Sequence, residues 1–277
     1  MPLTQDASET TPASARWTTR IALFSAALVV SALFLHRLFS IPTPVALNLV
    51  KLSILGGFIS LALAFIACVR IWRAGGAGGA RVFIGVLIAL AVIGWPLPQL
   101  ATIRDKPEIN DLTTDTKSPP PFKKLAAARA RDANNPKYPG AAFAEAQMRA
   151  YPDLRSLQIN RSVAEAYEIS ADALRRQRLS IVNEEPPGED FLATGLIEAY
   201  DRTPIWGFYD DVAVRVTGNG QTAQIDVRSA SRYGAHDLGR NTERIRRILK
   251  EIVVRLEATV PAAEGSAPRR GSTKRER

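Results

Sequence analysis

The distribution of apolar positions divides the chain near residue 100. Before that point three long apolar runs follow one another with short polar breaks: IALFSAALVVSALFL (21–35), VALNLVKLSILGGFISLALAFIACV (45–69) and VFIGVLIALAVIGWPLPQL (82–100). The first lengthens to about 17–38 when its flanks are included. Each then approaches the ~20 residues that carry a helix across ~30 Å of hydrocarbon. The pattern predicts three transmembrane helices. No strongly basic leader precedes the first run and HRLFSIPTP follows it in place of a small-residue cleavage site, so it is expected to stay as an anchor.

Beyond residue 100 the periodicity changes. RDKPEINDLTTDTKSPPPFKKL carries three successive prolines, which forbid a helix and favour an extended arm. A short helix, AAFAEAQMRA, follows the NPKYPG turn. RSLQIN (155–160) predicts a strand and VAEAYEISADALRRQR (163–178) a helix. Ser162 is its N-cap and Glu165 stands at the capping-box position. Val163, Ala166, Tyr167 and Leu174 make its apolar face, which Ser170 interrupts. LSIVNE (179–184), FLATGLIEAYDR (191–202), DVAVRVTG (211–218) and TAQIDVRS (222–229) predict strands. A last helix has Ile245, Ile248, Leu249, Ile252 and Leu256 at helical spacing. The order strand, helix, four strands, helix predicts an α+β domain: an antiparallel sheet with two helices on one face.

The expected organisation is therefore a disordered tail over 1–16, an anchor over 17–101, the arm with its short helix over 102–150, the α+β domain over 151–260 and a basic disordered tail over 261–277.

Asn219-Gly220 predicts a two-residue type I′ turn, which needs φ > 0 at both positions. That turn pairs Val216 with Ala223, Val214 with Ile225 and Val212 with Val227 on one face. On the other it pairs Arg215 with Gln224, Ala213 with Asp226 and Asp211 with Arg228. The first set is all apolar and faces the helices. The second is expected to be a solvated face with cross-strand ion pairs.

Charge orients the chain. Residues 1–100 hold seven Lys/Arg and two Asp/Glu, the remainder 29 and 25, so excesses of +5 and +4 make up the net +9. Arg16 and Arg20 share a side with Arg70, Arg73 and Arg81, against Arg37, Lys51, Arg104 and Lys106 on the other. Cytoplasmic loops carry the larger share of Lys/Arg. The N-terminus is thus expected in the cytoplasm of a bacterium, with the C-terminal domain in the periplasm beyond a multi-pass inner-membrane anchor. Lys51, one turn from Asn48, is expected to snorkel to the headgroups, although an intramembrane charge also admits a transport role. A pI near 10 invites a nucleic-acid reading, but the excess is thinly spread and nucleic acid is not an expected partner.

The candidate chemistry gathers in IDVRSASRYGAHDLGRN (225–241). Asp237 can cap the last helix, with Asn241 as an alternative start. A helix N-terminus beside Arg228, Arg232, Arg240 and Arg244 suits an anion. The candidate ligand-binding set is Asp211, Arg215, Asp226, Arg228, Ser231, Arg232, His236, Asp237, Asn241 and Arg244. A hydrolytic triad can be drawn from Ser229 or Ser231, His236 and Asp237, but no G-x-S-x-G elbow is present and nearness in sequence does not make a triad. No cofactor or metal is expected. The chain holds one cysteine, Cys68, and two histidines, His36 and His236, so a metal would need carboxylates such as Asp210, Asp211 and Asp226. Asp210 should point away from the other two.

Three separated blocks, NDLTTDTKSPPPF, GLIEAYDRTPIWGFYDDVAVRV and IDVRSASRYGAHDLGRNTERIRRI, resemble in order the family known as domain of unknown function 1499 (DUF 1499), over about residues 107–256. The resemblance implies one domain containing the Asp-Thr arm, the Asp-Asp pair and the Arg-Ser corner. It implies no activity and carries over no catalytic residue. Such domains occur in bacteria and plastid-bearing eukaryotes, often with an anchor or lipoprotein signal, and the three apolar runs lie outside the family pattern.

The expected function is a non-catalytic envelope module that binds an envelope protein or a polar, anionic ligand at the 228–244 corner, with the lipid bilayer as its other partner. The alternative is an enzyme, a hydrolase or transferase, using the 226–244 corner; a transporter subunit built around Lys51 is a third class. The arm residues Asn110, Asp111, Thr114 and Asp115 can fold back onto the corner and make it a brace.

Overall fold

A computed structural model of the chain describes residues 11–98, 103–104, 106–190, 192–236 and 238–258. The expected tails over 1–16 and 261–277 lie largely or wholly outside these residues, and Asp237 lies outside them too. The chain forms two compact units. One runs to Glu108 and includes Arg202–Tyr209; the other holds Ile109–Asp201 and the residues from Asp210 onward.

The first unit is built on α1 (Ala13–Phe39), α2 (Thr43–Ala74) and α3 (Gly79–Gly94). Pro12 and Pro42 stand at the N-caps, where a missing N–H costs nothing. The helices turn small or polar residues inward: Ala15, Ala22, Ser25 and Ala32 of α1, Ser53, Gly57, Ser60 and Ala64 of α2, Gly85 and Ala89 of α3. Ser53 and Ser60 donate to the Ser25 and Thr18 carbonyls at 2.7 and 2.9 Å. The backbones approach closely: a Cβ on Gly56 would stand 2.2 Å from Ser25 Oγ, and one on Gly85 2.7 Å from Thr18 Cγ2. Large apolar side chains, among them Phe24, Phe34, Phe58, Phe65, Phe83 and Leu87, point outward.

Two of these helices, α1 and α2, are long and apolar enough to cross a membrane. The third apolar run gives a shorter helix than the expected 82–100 span. It has 16 residues and ends at Gly94, two residues before Pro96, which lacks the N–H needed to continue the helical ladder. Residues 99–100 of the expected span lie outside the described residues. Lys51 and Asn48 are exposed on α2. The segment Arg202–Tyr209 closes over one end of this unit. The Trp206 ring stacks on Phe208 and Trp95, and its carbonyl lies 2.7 Å from His36 Nδ1.

The second unit is α+β. Its strands are β1 (Asp111–Thr113), β2 (Leu157–Ile159), β3 (Ser180–Glu185), β4 (Ala193–Arg202), β5 (Tyr209–Gly218) and β6 (Ala223–Ser231). The sheet order is β1-β6-β5-β4-β3, with β2 also on β6. β1 and β2 lie end to end along one side of β6, both antiparallel to it. α4 (Lys124–Ala128), α5 (Ala141–Ala150), α6 (Val163–Arg176) and α7 (Arg240–Ala258) complete the unit. The order from β2 onward is the expected strand, helix, four strands, helix.

The helix face closes by alternation. Val212, Val214, Val216, Ile225 and Val227 are fully buried against Ala166, Leu174, Ile245, Ile248 and Ile252. The N–H of Glu165 donates to Ser162 Oγ at 3.2 Å, capping α6 as its sequence predicts. Ser170 is buried on the apolar face because its hydroxyl turns back to the Ala166 carbonyl at 2.7 Å.

The β5–β6 register corrects the expected one. Val216 pairs with Ile225, Val214 with Val227, Arg215 with Asp226, Ala213 with Arg228 and Asp211 with Ala230. Neither Asn219 nor Gly220 takes a positive φ. Instead Asn219 Oδ1 accepts the N–H groups of Gln221 and Thr222 at 2.8 and 2.9 Å, and its own N–H donates to the Thr222 carbonyl. One side chain thus satisfies a four-residue loop without the left-handed backbone of a type I′ turn. The slip is by two residues, so each side chain keeps its face.

The second face also departs from expectation. It is not solvated: Asp211 and Asp226 are fully buried and Arg228 is 2% exposed. The arm does not run free but lies across this face, with Phe122 and Leu125 packed on Leu196, Ala213 and Ala230. Part of the arm becomes strand β1. The sheet is therefore covered on both sides.

Candidate functional site

Arg228 stands at the centre of the arm face. Its Nε and Nη2 donate to the two oxygens of Asp111 at 2.9 and 2.6 Å. Nη1 reaches the Pro120 carbonyl at 3.1 Å and Nη2 also the Pro136 carbonyl at 2.8 Å. The guanidinium lies 4.3 Å from the Phe122 ring centroid and 5.7 Å from that of Tyr138. A buried cation between two π faces and a bidentate carboxylate has its desolvation offset on every side. Burial pushes the Asp111 carboxyl above its ordinary range, against the downward pull of its Arg228 hydrogen bonds.

The neighbouring pairs follow the same rule. Asp211 accepts from Arg129 Nε and Arg232 Nε, each at 2.8 Å. Arg215 Nη2 bridges Asp226 and Asp115 at 2.8 and 2.9 Å. Asp226 further accepts from the Ser156 hydroxyl and from Gln224. Thr114 continues the ladder of β1, exchanging bonds with the Val227 backbone through its N–H and hydroxyl, each at 2.9 Å. Glu198, wholly buried, accepts the N–H groups of Lys123, Lys124 and Leu125 at 2.7, 3.0 and 3.1 Å, and Asn183 at 3.0 Å. The Gln147 side chain receives the Thr113 N–H at 3.0 Å and donates to the Thr113 carbonyl at 2.6 Å.

A second polar cluster sits on the helix face. Arg244, 1% exposed, donates to Asp201 and Asp210 at 2.8 and 2.7 Å and from Nη1 to Ser229 Oγ and Asn241 Oδ1 at 3.0 and 2.7 Å. Asn241 donates to Ser231 Oγ at 3.1 Å and to the Asn110 carbonyl at 3.0 Å.

The sequence-predicted residues thus divide between two faces. Asp211, Arg215, Asp226, Arg228 and Arg232 lie on the arm face; Ser231, Asn241 and Arg244 lie on the helix face. His236 stands in the loop after β6 with its buried Nδ1 unpartnered. Asp237 lies outside the described residues. Alternation along β6 forces the division, because residues 229 and 231 point opposite to 228 and 232. Ser229 and Ser231 both engage Asn241 in place of His236. Among the described residues no group of three His, Cys, Asp or Glu stands ready for a metal, and Asp210, Asp211 and Asp226 each hold a different arginine.

Sequence reasoning missed Arg129, Tyr138, Gln147 and Glu198. The available signal was the apolar pair Phe122 and Leu125 inside the proline-rich arm, which a free arm would not need to bury.

Two clefts open beside the arm. The polar one, of about 510 Å³, is lined by Asp111, Arg129, Asn134, Asn135, Lys137 and Tyr138, among others. The other, of about 710 Å³, has Pro119, Pro121, Phe122, Ala126 and Pro136 in its walls and shares Lys137 and Tyr138. Arg129 Nη2 and Tyr138 Oη are buried without a partner. Burial first, and then the Asp111 charge, push the Tyr138 hydroxyl up to about 12, so it stays a donor.

No curated protein and no solved structure matches this chain. A family model described as "Protein of unknown function (DUF1499)" matches residues 111–252, which run from the first residue of β1 to the last buried isoleucine of α7. With more than half of its length matched, and with the whole sheet and most of the arm and closing helix inside the match, the chain belongs to the DUF1499 family.

Proposed function

We propose that this protein is a bacterial inner-membrane protein whose α+β unit is a non-catalytic module on the periplasmic side, binding a polar or anionic ligand or an envelope partner. The observation that carries the non-catalytic half is saturation. The buried arginines Arg228 and Arg244 spend their donors on carboxylates, carbonyls and hydroxyls of the same unit. An enzyme using the 226–244 corner would need a free nucleophile, and the hydroxyls of Ser229 and Ser231 are engaged by Asn241. An open polar surface remains in the cleft beside Arg129 and Lys137, and it carries the binding half.

Small residues inside and large apolar residues outside are the packing expected of helices in lipid, where the hydrophobic effect does not drive them together. In this reading α1, α2 and α3 all cross. The 16 residues of α3 span ~24 Å at ~1.5 Å each, with Trp95 at the interface. The five arginines at 16, 20, 70, 73 and 81 lie on the cytoplasmic side.

Topology is tested with a C68A/K250C variant, which moves the single cysteine to an exposed position of α7. A membrane-impermeant maleimide should label it in cells with a permeabilised outer membrane. Labelling only after lysis puts α7 on the cytoplasmic side and overturns the periplasmic assignment. Binding is tested by titrating a panel of carboxylates, phosphates and sulfate into the full chain in lipid nanodiscs. Heats of binding from at least one anion are expected; silence across the panel sinks the anionic-ligand reading.

A further inference from the structure

The clefts on either side of Tyr138 and Lys137 differ in chemistry and share those two residues. Resting on the binding role proposed above, we infer that together they form one two-lobed site for a small anionic amphiphile. Its oxyanion head, a carboxylate or phosphate, lies between Arg129, Lys137 and Tyr138, and its short apolar tail lies between Pro119, Pro121 and Phe122.

The head lobe has unspent donors. Arg129 is 97% buried by its side chain, which is 3% exposed, and gives Nε to Asp211 and Nη1 to the Asn134 carbonyl. Its Nη2 has no partner, and neither has the Tyr138 hydroxyl. Leaving two buried donors unpaired is costly, each by more than a typical hydrogen bond contributes when made. An acceptor bound in the cleft that both residues line would offset that cost.

Charge selects the acceptor. Two carboxylates, Asp111 and Asp211, face three guanidiniums at this end of the sheet: Asp111 is held by Arg228, and Asp211 is shared by Arg129 and Arg232. Lys137 adds a further cation at the exposed rim. Both oxygens of Asp111 are engaged by Arg228, which offsets part of its repulsion of an incoming anion and leaves Arg129 and Lys137 to supply the attraction. The excess of positive charge favours an anion and disfavours a cation.

The second lobe argues for a tail. Its walls are prolines, Phe122 and Ala126, with Lys117 and Lys137 on exposed positions at its margin. Proline walls are pre-ordered, so little chain entropy is lost when an apolar group enters.

The test uses the full chain in nanodiscs, titrated with inorganic phosphate, hexanoate, hexyl phosphate and hexylamine, with empty nanodiscs as the partition control. Hexyl phosphate should bind at least tenfold more tightly than inorganic phosphate, and hexylamine should not bind. Y138F removes a hydroxyl that has no partner in the fold, so it leaves the ring on Arg228 and should weaken hexyl phosphate about tenfold. K137E, at an exposed side chain, should weaken it by more. Equal affinity for inorganic and hexyl phosphate overturns the tail lobe. Binding of hexyl phosphate that neither variant changes overturns the site while sparing the anionic-ligand reading. Absence of binding by every anion overturns both.

Discussion

The two faces of one sheet are closed by opposite means. On the helix face, Val212, Val214 and Ile225 bury branched aliphatic groups against Ile245, Ile248 and Ile252. On the arm face, one residue away along the same strands, Asp211, Asp226 and Arg228 are equally buried, but against a chain segment of little regular structure. The helix face is held by non-directional burial and tolerates repacking. The arm face is held by directed charge-assisted bonds, where removing one partner leaves the other desolvated. A polar sheet face is therefore not automatically a wet one: a proline-rich strap with the complementary acids can turn it into a second interior.

The comparison is broken most sharply at Arg228. Arg228→Gln leaves Asp111 buried without its bidentate partner and should cost about 3–5 kcal/mol, read as faster amide exchange along β1 and β6. A cost below about 1 kcal/mol would mean that the arm face is wet in solution. On the helix face, Ile248→Ala should cost about 2–5 kcal/mol by transfer and cavity, with exchange rising in α7 and β6 together. Amide exchange is the suitable probe because all four tryptophans, at 17, 72, 95 and 206, lie in the helical unit. A smaller effect is expected at Gln147→Ala, about 1–3 kcal/mol, confined to β1, because the Thr113 N–H and carbonyl lose their partner.

The smallest expected effect concerns acid, and the two kinds of carboxylate should answer with opposite sign. Asp153 has its pKa lowered, first by its hydrogen bond to Arg246. Its contribution is present above the ordinary carboxylate value near 3.8 and is lost as pH falls through its folded value. Asp111 has its pKa raised by burial, so the folded state takes up a proton before the unfolded state does as pH falls. Stability from that group declines as pH rises through the window above 3.8. Asp153→Asn should flatten the acid limb of a stability–pH curve. Asp111→Asn should remove a slope of the other sign, and matching slopes would contradict the assigned directions.

Much of this architecture was legible in the residues. The period of two assigned Val212, Val214 and Val216 to one face and Asp211 and Arg215 to the other, and a register slip of two left that assignment intact. Ser162 and the Ile245–Ile252 stripe likewise marked α6 and α7. The slip escaped because Asn219-Gly220 has two solutions. Main-chain φ angles give one and the asparagine side chain gives the other, and the dipeptide alone does not choose. The fold-back of Asp111, Thr114 and Asp115 is among the readings the sequence admits, but the burial of the whole second face beneath the arm is not, because proline fixes φ without saying against what the chain lies. Asp111 and Arg228 stand 117 residues apart in sequence, and no local pattern couples them. The grouping of the corner residues on two faces followed from alternation, once β6 was extended to Ser231.

The amide of Gln147 has one more effect. By occupying both the N–H and the carbonyl of Thr113, it acts as a false neighbour on the outer margin of the short first strand. The opposite margin is interrupted by a bulge between Ile181 and Asn183 and carries Glu184 and Glu185. The borders at β1 and β3 are thus blunted in the ways that keep a sheet from templating another chain. At high local density on a two-dimensional surface, copies of this protein should remain separate from one another rather than zip together through their backbones.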